Sequence, residues 1–134
     1  MTKWDNMIKL KQLIFESIDE KNVHIISTPQ NVSIMYRAEG IVRGSVAGID
    51  RIDGHKWWVS RVLVGDRNIR GQGIGSYLIQ KAVAEVLKQD PQAEILVEPG
   101  GYEGNTAEQI NFYKKNGFHE QPEPEYKGSL MYKK

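Results

Sequence analysis

The stretch IRGQGIGSYL, residues 69–78, places three glycines at alternate positions directly before a long amphipathic segment. Each glycine inside a helix costs roughly 0.5 to 1 kcal/mol relative to alanine, so three glycines at a helix start are destabilising unless the bare backbone has a use. A glycine turn between a strand and a helix presents free backbone N–H groups and the positive end of the helix dipole to an anion. The stretch therefore predicts a phosphate-binding site at the start of a helix.

Two common phosphate-binding motifs do not fit this stretch. A nucleoside-triphosphate P-loop ends in Gly-Lys-Ser/Thr, whereas Gly75 is followed by Ser76 and Tyr77. A dinucleotide-binding fold has the spacing Gly-x-Gly-x-x-Gly after its first strand. Here the spacing is Gly-x-Gly-x-Gly, and it follows the fourth or fifth predicted strand. The stretch therefore indicates a different kind of phosphate loop.

The first half of the chain is predicted to form a helix and an antiparallel meander of strands. Apolar residues at three- and four-residue steps indicate an N-terminal helix that ends near Glu20. After it come four short runs that are rich in β-branched and aromatic residues. The segments AEG and DRIDGH supply the Glu-Gly and Asp-Gly pairs that tight hairpins favour. The predicted strands span residues 23–27, 32–38, 41–49 and 56–64.

The second half is predicted to alternate helices and strands. An apolar stripe after the glycine turn indicates a helix that ends at the segment QDPQ, because proline cannot continue a helix. Further on, Thr106 with Gln109 forms a capping-box start, and Asn116 with Gly117 forms a left-handed stop. The predicted elements are a helix over 76–88, a strand over 94–99, a helix over 107–116 with Ala107, Ile110 and Tyr113 facing inward, an acidic loop over 120–125, and a closing strand within 126–134.

Composition limits the classes of function. The 134 residues fit a single domain over 1–134, and 18 basic and 17 acidic residues nearly cancel, so no nucleic-acid footprint is visible. The absence of cysteine excludes disulfides and thiolate chemistry, and the three histidines are too scattered for a metal site. Charges interrupt the apolar positions of the first twenty residues, unlike a signal peptide or a membrane span. We therefore expect a cytoplasmic protein with no nucleic-acid, membrane or metal partner.

The glycine stretch and a second segment together resemble the GNAT superfamily of acyl-CoA-dependent N-acetyltransferases. Residues 70–75, RGQGIG, match the pattern Arg/Gln-x-x-Gly-x-Gly/Ala, and residues 105–118, NTAEQINFYKKNGF, resemble the family's second signature of Asn, Ala, Phe-Tyr, Lys and Gly-Phe. The resemblance covers roughly residues 57–118. It implies an α/β (α+β) fold with a mixed, mainly antiparallel twisted sheet flanked by helices. The sheet would be splayed between the strands over 57–64 and 94–98 to admit acetyl-CoA.

The resemblance also implies which residues bind acetyl-CoA as the co-substrate. In the family, backbone amides of the glycine loop and helix start hold the pyrophosphate. The strand residues Val62, Leu63 and Val64 would offer edge backbone groups to the pantetheine arm. Asn105 would hydrogen-bond the arm, although a residue beside a helix start equally suits a cap. The loop residues are Arg70, Gly71, Gln72, Gly73, Ile74 and Gly75.

Acetyl transfer to a primary amine needs a base, an oxyanion donor and an acid. The resemblance implies that Tyr113 protonates the leaving thiolate; the alternative is that Tyr113 is a core residue beside Ile110. It also implies that a backbone N–H near Val62 to Val64 donates a hydrogen bond to the oxyanion. At ordinary pKa values near 10 for tyrosine and about 8.5 for a thiol, that protonation costs only about 2 kcal/mol. The first candidate base is Glu98, at the end of its predicted strand. The alternative is that Glu98 is an exposed glutamate with no catalytic role. Weaker candidates are Asp50, Asp53, His55 and Glu103.

The acceptor pocket is less defined by the sequence. Trp57 and Trp58 face opposite sides of an alternating strand, so at most one of them walls the pocket, with Tyr102 as a further candidate. Polyamine, aminoglycoside, amino acid, peptide terminus and protein lysine all stay open as acceptors, as does the choice between monomer and homodimer. The main hypothesis is an acetyltransferase that works by direct attack in a ternary complex. The alternatives are a non-catalytic CoA-binding or regulatory module and a small interaction domain without cofactor.

Overall fold

The computed structural model describes residues 20–64, 73–99, 106–124 and 126–134, and the predicted N-terminal helix lies outside these ranges. Within them a 3-10 turn, Glu20–Asn22, precedes the first strand. The α-helices are α1 (Ile74–Gln89) and α2 (Thr106–Lys115). The strands are β1 (Val23–Ser27), β2 (Asn31–Ala38), β3 (Ile41–Asp53), β4 (Lys56–Val64), β5 (Glu94–Val97), β6 (His119–Glu120) and β7 (Leu130–Lys133).

The described strands form one sheet in the order β1-β2-β3-β4-β5-β7-β6. Neighbouring strands are antiparallel except for β4 and β5, which are parallel. The sheet is therefore mixed and mainly antiparallel, and the two helices flank it. This confirms the predicted α/β (α+β) fold class.

The turns between the first four strands explain why these strands form hairpins. At the β2–β3 turn, Glu39 and Gly40 have φ values of 56° and 75°, as in a two-residue type I′ turn. Gly54, with φ 51°, serves the β3–β4 turn. The predicted meander is confirmed, with β1 and β4 at their predicted bounds. β3 is longer than predicted because Asp50 to Asp53, assigned to the turn, pair with β4 instead.

One face of the sheet is closed by α1, which packs against β2, β3 and β4. Each large apolar side chain that is fully buried there contributes roughly 1.5 to 3 kcal/mol to folding. The helix ends as predicted, because Asp90 caps it by donating its N–H to the Val86 carbonyl at 2.8 Å and Pro91 follows. The buried residues of this interface are Val32, Ile34, Val46, Ile49, Trp57 and Val59 on the sheet and Leu78, Ile79, Ala82, Val83 and Val86 on α1.

The segment after β5 departs from the prediction in detail. α2 begins and ends one residue earlier than predicted, and Ala107 is exposed rather than inward, because burial along this helix begins only at its second turn. Glu120 was predicted in a loop, but it pairs with Leu130 in the two-residue strand β6. β5 ends at Val97, two residues before its predicted bound. Of the helices that the structure describes, none combines the length and the apolar character needed to span a bilayer.

Candidate functional site

Strands β4 and β5 pair over only three residues, and β5 ends one residue after the last pair. Their parallel ladder begins at Lys56 and Glu94 and ends at Trp58 and Leu96. β4 continues to Val64, and no described strand pairs with this edge of β4 beyond Trp58. The short ladder agrees with the predicted splay, which itself stays a prediction because β5 ends at Val97. A splay would leave backbone N–H and C=O groups of β4 free to pair with an extended ligand, as an added strand would.

Two bulges lie where β4 leaves β5. The pairing of β3 with β4 contains an extra residue on each strand, Ser60 on β4 and Ala47 on β3. A bulge bends its strand and increases the local twist, so the second half of β4 is expected to turn away from the line of its first half. Val62, Leu63 and Val64 lie just past the bulge, on the splayed half of β4.

The first turn of α1 presents backbone N–H groups without intrahelical partners. Gly73 is the N-cap, with φ 82° and ψ 7°, and its carbonyl accepts the N–H of Tyr77 at 2.9 Å. Glycine adopts this left-handed conformation without a Cβ clash. The N–H groups of Ile74, Gly75 and Ser76 belong to the first turn, where an α-helix has no carbonyl to receive them. A helix terminus of this kind is able to receive an anion, which is what the sequence predicts here.

The splayed strands and the start of α1 lie at one edge of the sheet. Parallel strands point their carboxyl ends toward the same edge, although β4 continues to Val64 after β5 has ended beside its middle, and α1 follows β4 along the chain. Glu98 comes directly after β5 and is exposed at this edge. It remains the predicted base. The further candidates Arg70, Gly71, Gln72, Tyr102, Glu103 and Asn105 lie outside the described residues.

Tyr113 is buried among aromatic rings near the end of α2. It is 7% exposed, with ring centroids 5.2 Å from Phe112 and 5.4 Å from Phe118 in edge-on contacts. Burial raises the pKa of Tyr113 to about 12. The hydroxyl is therefore protonated throughout the physiological range and is able to donate a hydrogen bond. The predicted cost of about 2 kcal/mol for proton transfer to the thiolate assumed an ordinary tyrosine pKa near 10. A pKa of about 12 makes that transfer more costly.

Asn116 joins the end of α2 to the first turn of α1. Its Nδ2 donates to Ser76 Oγ at 3.1 Å and to the Phe112 carbonyl at 2.8 Å, and its Oδ1 accepts from Gln80 Nε2 at 3.0 Å. Asn116 and Ser76 are both buried. Because Tyr113 lies one helical turn before Asn116, this contact fixes the tyrosine relative to the first turn of α1. The sequence pattern predicted only a helix stop at Asn116.

The two tryptophans of β4 have different environments, as their alternation predicts. Trp57 is fully buried under α1 and donates its indole N–H to Asp90 Oδ2 at 3.2 Å. Trp58 is half-buried on the opposite face, where its ring lies 5.4 Å from that of Tyr126 at a steep angle. Trp57 is therefore a core residue, and Trp58 is the one with a surface to offer an acceptor.

The opposite end of α1 is held by the buried carboxylate of Asp90. His55 Nδ1 lies 2.8 Å from Oδ1, Arg51 lies 3.5 Å from Oδ2, and the Gln92 N–H donates to Oδ1 at 3.2 Å. Burial raises the pKa of Asp90, but the hydrogen bonds from Trp57, His55 and Gln92 outweigh it, so the pKa is lowered. His55 is thus engaged at the start of β4, away from the splayed half, which argues against it as the base.

Comparison with known proteins identifies the family. Residues 29–120 match the model described as the acetyltransferase (GNAT) domain. A search of curated proteins finds no match. Among solved structures, a GNAT-family acetyltransferase from Staphylococcus aureus is 18% identical, with a TM-score of 0.62 over 77% of this chain and 67% of that chain.

Two further solved structures contain coenzyme. The PaiA N-acetyltransferase from Thermoplasma acidophilum, in complex with coenzyme A, is 17% identical, with a TM-score of 0.62 over 78% of this chain and 62% of its own. A GNAT-family acetyltransferase from Elizabethkingia anophelis with acetyl-CoA bound is 14% identical, with a TM-score of 0.60 over 78% of this chain and 77% of its own. This chain thus spans less than two thirds of the Thermoplasma protein. With the likeness of fold and the match to the domain model, the chain belongs to the GNAT family of acetyltransferases.

Proposed function

We propose that this chain is an N-acetyltransferase that transfers the acetyl group of acetyl-CoA to a primary amine by direct attack in a ternary complex. The observation that carries the proposal is an edge of β4 that no described strand covers beyond Trp58, followed along the chain by a glycine-capped helix N-terminus. The Thermoplasma and Elizabethkingia structures, of the same fold, contain coenzyme A and acetyl-CoA. The family membership supports acyl transfer as the class of reaction.

The residues at this edge fit the proposed co-substrate. Gly73 has no side chain to obstruct a diphosphate, and the first-turn N–H groups of Ile74 and Gly75 would bind its oxygens. The backbone of Val62 to Val64 would pair with the amide groups of the pantetheine arm. Acetyl-CoA, when bound, supplies the acetyl group as a thioester. We include Arg70, Gly71, Gln72 and Asn105 in this binding site.

Tyr113 is proposed to stabilise the departing thiolate. A tyrosine of pKa about 12 is a weaker acid than a thiol of pKa about 8.5, so complete proton transfer is uphill by about 5 kcal/mol. A hydroxyl that keeps its proton is better suited to donate a short hydrogen bond to a negative sulfur. Tyr113 thus acts mainly as a charge-stabilising donor, and the thiolate takes its proton from water.

Glu98 is proposed to receive the proton of the attacking amine, directly or through a water molecule. An amine of pKa near 10 is almost entirely protonated at neutral pH and must lose that proton before it attacks. Glu98 directly follows β5, beyond the last pair of β5 with β4, and its side chain is exposed.

Release of free thiol from acetyl-CoA, measured across a panel of primary amines, tests this function. We expect thiol release that depends on the amine, together with an acetylated product found by mass spectrometry. Calorimetric titration with CoA separates the other outcomes. Tight CoA binding without product from any amine would favour a non-catalytic CoA-binding module. Absence of both binding and product would overturn the proposal.

A further inference from the structure

We propose that the acceptor binds on the sheet face opposite α1, and that it is an amine carrying a second cationic group. The second charge would occupy a polar recess over Gly48, here named the Gly48 recess, formed by Asn31, Gly48, Asp50 and Ser60. The inference rests on the proposed acetyl transfer for the reaction itself. The recess, however, is defined by its own contacts and is testable by binding alone.

Three polar groups from three strands converge on the space above Gly48. A Cβ atom at this position would lie 3.3 Å from Ser60 Oγ, 3.5 Å from Asn31 Nδ2 and 3.8 Å from Asp50 Oδ2. These side chains come from β4, β2 and β3, and the two bulges bring them together. The missing side chain of Gly48 therefore leaves a small recess walled by a hydroxyl, an amide and a carboxylate.

The Gly48 recess carries a negative charge that lacks a cationic partner in the described part of the chain. Asp50 is exposed, and its Oδ1 accepts a hydrogen bond from Asn31 Nδ2, a neutral donor. Ser60 Oγ donates its hydrogen to the Gly48 carbonyl at 2.7 Å, so its lone pairs remain available as acceptors. A carboxylate beside a hydroxyl oxygen suits an ammonium group, which has three hydrogens to donate.

The position of the Gly48 recess relates it to the splayed strands. Asp50 pairs with Trp58, which is also the last β4 residue that pairs with β5. Gly48 pairs with Arg61, already on the splayed half of β4. Because α1 packs against the face that carries Trp57, an amine has to approach the gap from the other face, where Asp50 and Trp58 lie.

An aromatic pair borders the same row of the sheet. Trp58 stands directly across from Asp50, and its ring contacts that of Tyr126. An aromatic face attracts a cation, and its apolar surface also suits the methylene groups that link two amines. The combination favours an alkyl amine with charges at both ends over a neutral or acidic acceptor.

The charge in the recess is best assigned to a nitrogen other than the reacting one. A nearby carboxylate favours the protonated form of an amine, and the protonated form does not attack a thioester. An ammonium held against Asp50 would therefore be unreactive. A second amine on the same molecule, a few carbon atoms away, is free to reach the gap between β4 and β5.

The test compares 1,4-diaminobutane with butylamine, which has one amine on the same carbon chain. For the unmodified protein we expect kcat/KM for the diamine to exceed that for the monoamine by about tenfold or more. Asp50→Asn should raise KM for the diamine by about tenfold, with KM for acetyl-CoA unchanged. Gly48→Ala, which fills the recess, should act in the same direction. Glu39→Gln, which removes an exposed acid in the β2–β3 turn, serves as the control and should change neither constant.

Equal kcat/KM for the two amines, or an Asp50→Asn variant that keeps its preference, would overturn the proposal. If no amine is acetylated, the proposed function fails, and the recess is then judged by binding alone. In that case 1,4-diaminobutane is titrated into the CoA-loaded protein while tryptophan fluorescence is followed. Binding that is lost in Asp50→Asn supports the recess, and absent or unchanged binding overturns it.

Discussion

The two ends of α1 are built in opposite ways. At the N-terminal end, Gly73 caps the helix in a left-handed conformation, with no side chain over the first-turn N–H groups. At the C-terminal end, the buried carboxylate of Asp90 is surrounded by Trp57, His55 and Arg51. A carboxylate near a helix C-terminus is unfavourable toward the helix dipole, so these partners must offset the dipole as well as the loss of water.

The start of α1 is built for binding, whereas the end of α1 is built for stability. Free N–H groups at the start of α1 stabilise the fold little, but they are positioned for an anion. The contacts of Asp90 join the end of α1 to the β3–β4 hairpin through residues 33 to 39 positions away in sequence. Substitutions at the two ends should therefore change different measurements.

The largest expected effect is on folding, at the Asp90 end. Asp90→Ala leaves the indole N–H of Trp57 and the N–H of Gln92 without their acceptor, and we expect the free energy of unfolding to fall by about 3 kcal/mol. Urea denaturation measures this loss. Glu85→Gln, which breaks a surface pair with Lys88, should cost less than about 0.5 kcal/mol. An equally small change for Asp90→Ala would contradict the anchoring role.

At the other end of α1, Gly73→Ala should weaken CoA binding about tenfold or more, because alanine disfavours the left-handed conformation that opens the first turn. Gly128→Ala is the matched control, since Gly128 has the same φ of 82° and open space around it. Both variants should lose about 1 kcal/mol of stability. A calorimetric Kd for CoA that rises equally in both would show that strain, and not the phosphate contact, is responsible.

The role of Tyr113 is expected to appear in turnover. Tyr113→Phe should lower kcat by about tenfold, because a hydrogen bond to the thiolate is lost while the aromatic packing is kept. Calorimetry should give an unchanged Kd for CoA. Since the pKa of Tyr113 is about 12, the unmodified enzyme should show no loss of kcat from this group up to about pH 10. A variant with full turnover would remove Tyr113 from the mechanism.

Asn116 lies at the end of the helix that carries Tyr113 and contacts the first turn of α1. A substitution there is therefore expected to affect turnover and, to a smaller extent, binding of acetyl-CoA. Asn116→Ala removes the contacts to Ser76 and Gln80, and we expect kcat to fall about threefold with a smaller change in KM for acetyl-CoA. Lys115→Ala, an exposed neighbour on α2, should leave both constants as they are. Identical kinetics for the two variants would mean that the contact only stabilises the helix end.

The smallest expected effect is in the pH dependence of stability. The pKa of Asp90 is lowered in the folded chain, so ionised Asp90 stabilises the fold above its unfolded pKa of about 3.9. That contribution is lost as the pH falls through the lower folded pKa. Denaturation curves of the unmodified protein and of Asp90→Asn should therefore converge as the pH falls below about 4. A constant difference across this range would contradict the lowered pKa.

The sequence predicted best what depends on local pattern. The bounds of β1 and β4 match their apolar runs, and the left-handed stop of α2 appears at Gly117 with φ 97°. The splay between β4 and β5 was predicted from the family resemblance rather than from periodicity. The two-residue strand β6 is too short to show a period of two, so the sequence placed its second residue in a loop.

Contacts between distant residues were not predictable in this way. The sequence assigned Asp90 to a helix stop and Asn116 to another, although each side chain bonds an element more than thirty positions away. The Gly48 recess likewise depends on bulge positions that pair residues from three strands. A polar residue at a helix end is readily explained as a local cap or stop. Only the folded chain shows which distant group its side chain contacts.

The most direct test of the account is an NMR titration of the ¹⁵N-labelled protein with CoA. We predict that the backbone amide signals of Ile74, Gly75 and Ser76 shift as CoA binds, because their N–H groups receive the diphosphate oxygens. Signals at the Asp90 end of α1 should move far less. Saturation with CoA that leaves the amides of Ile74 to Ser76 unshifted would contradict the central claim.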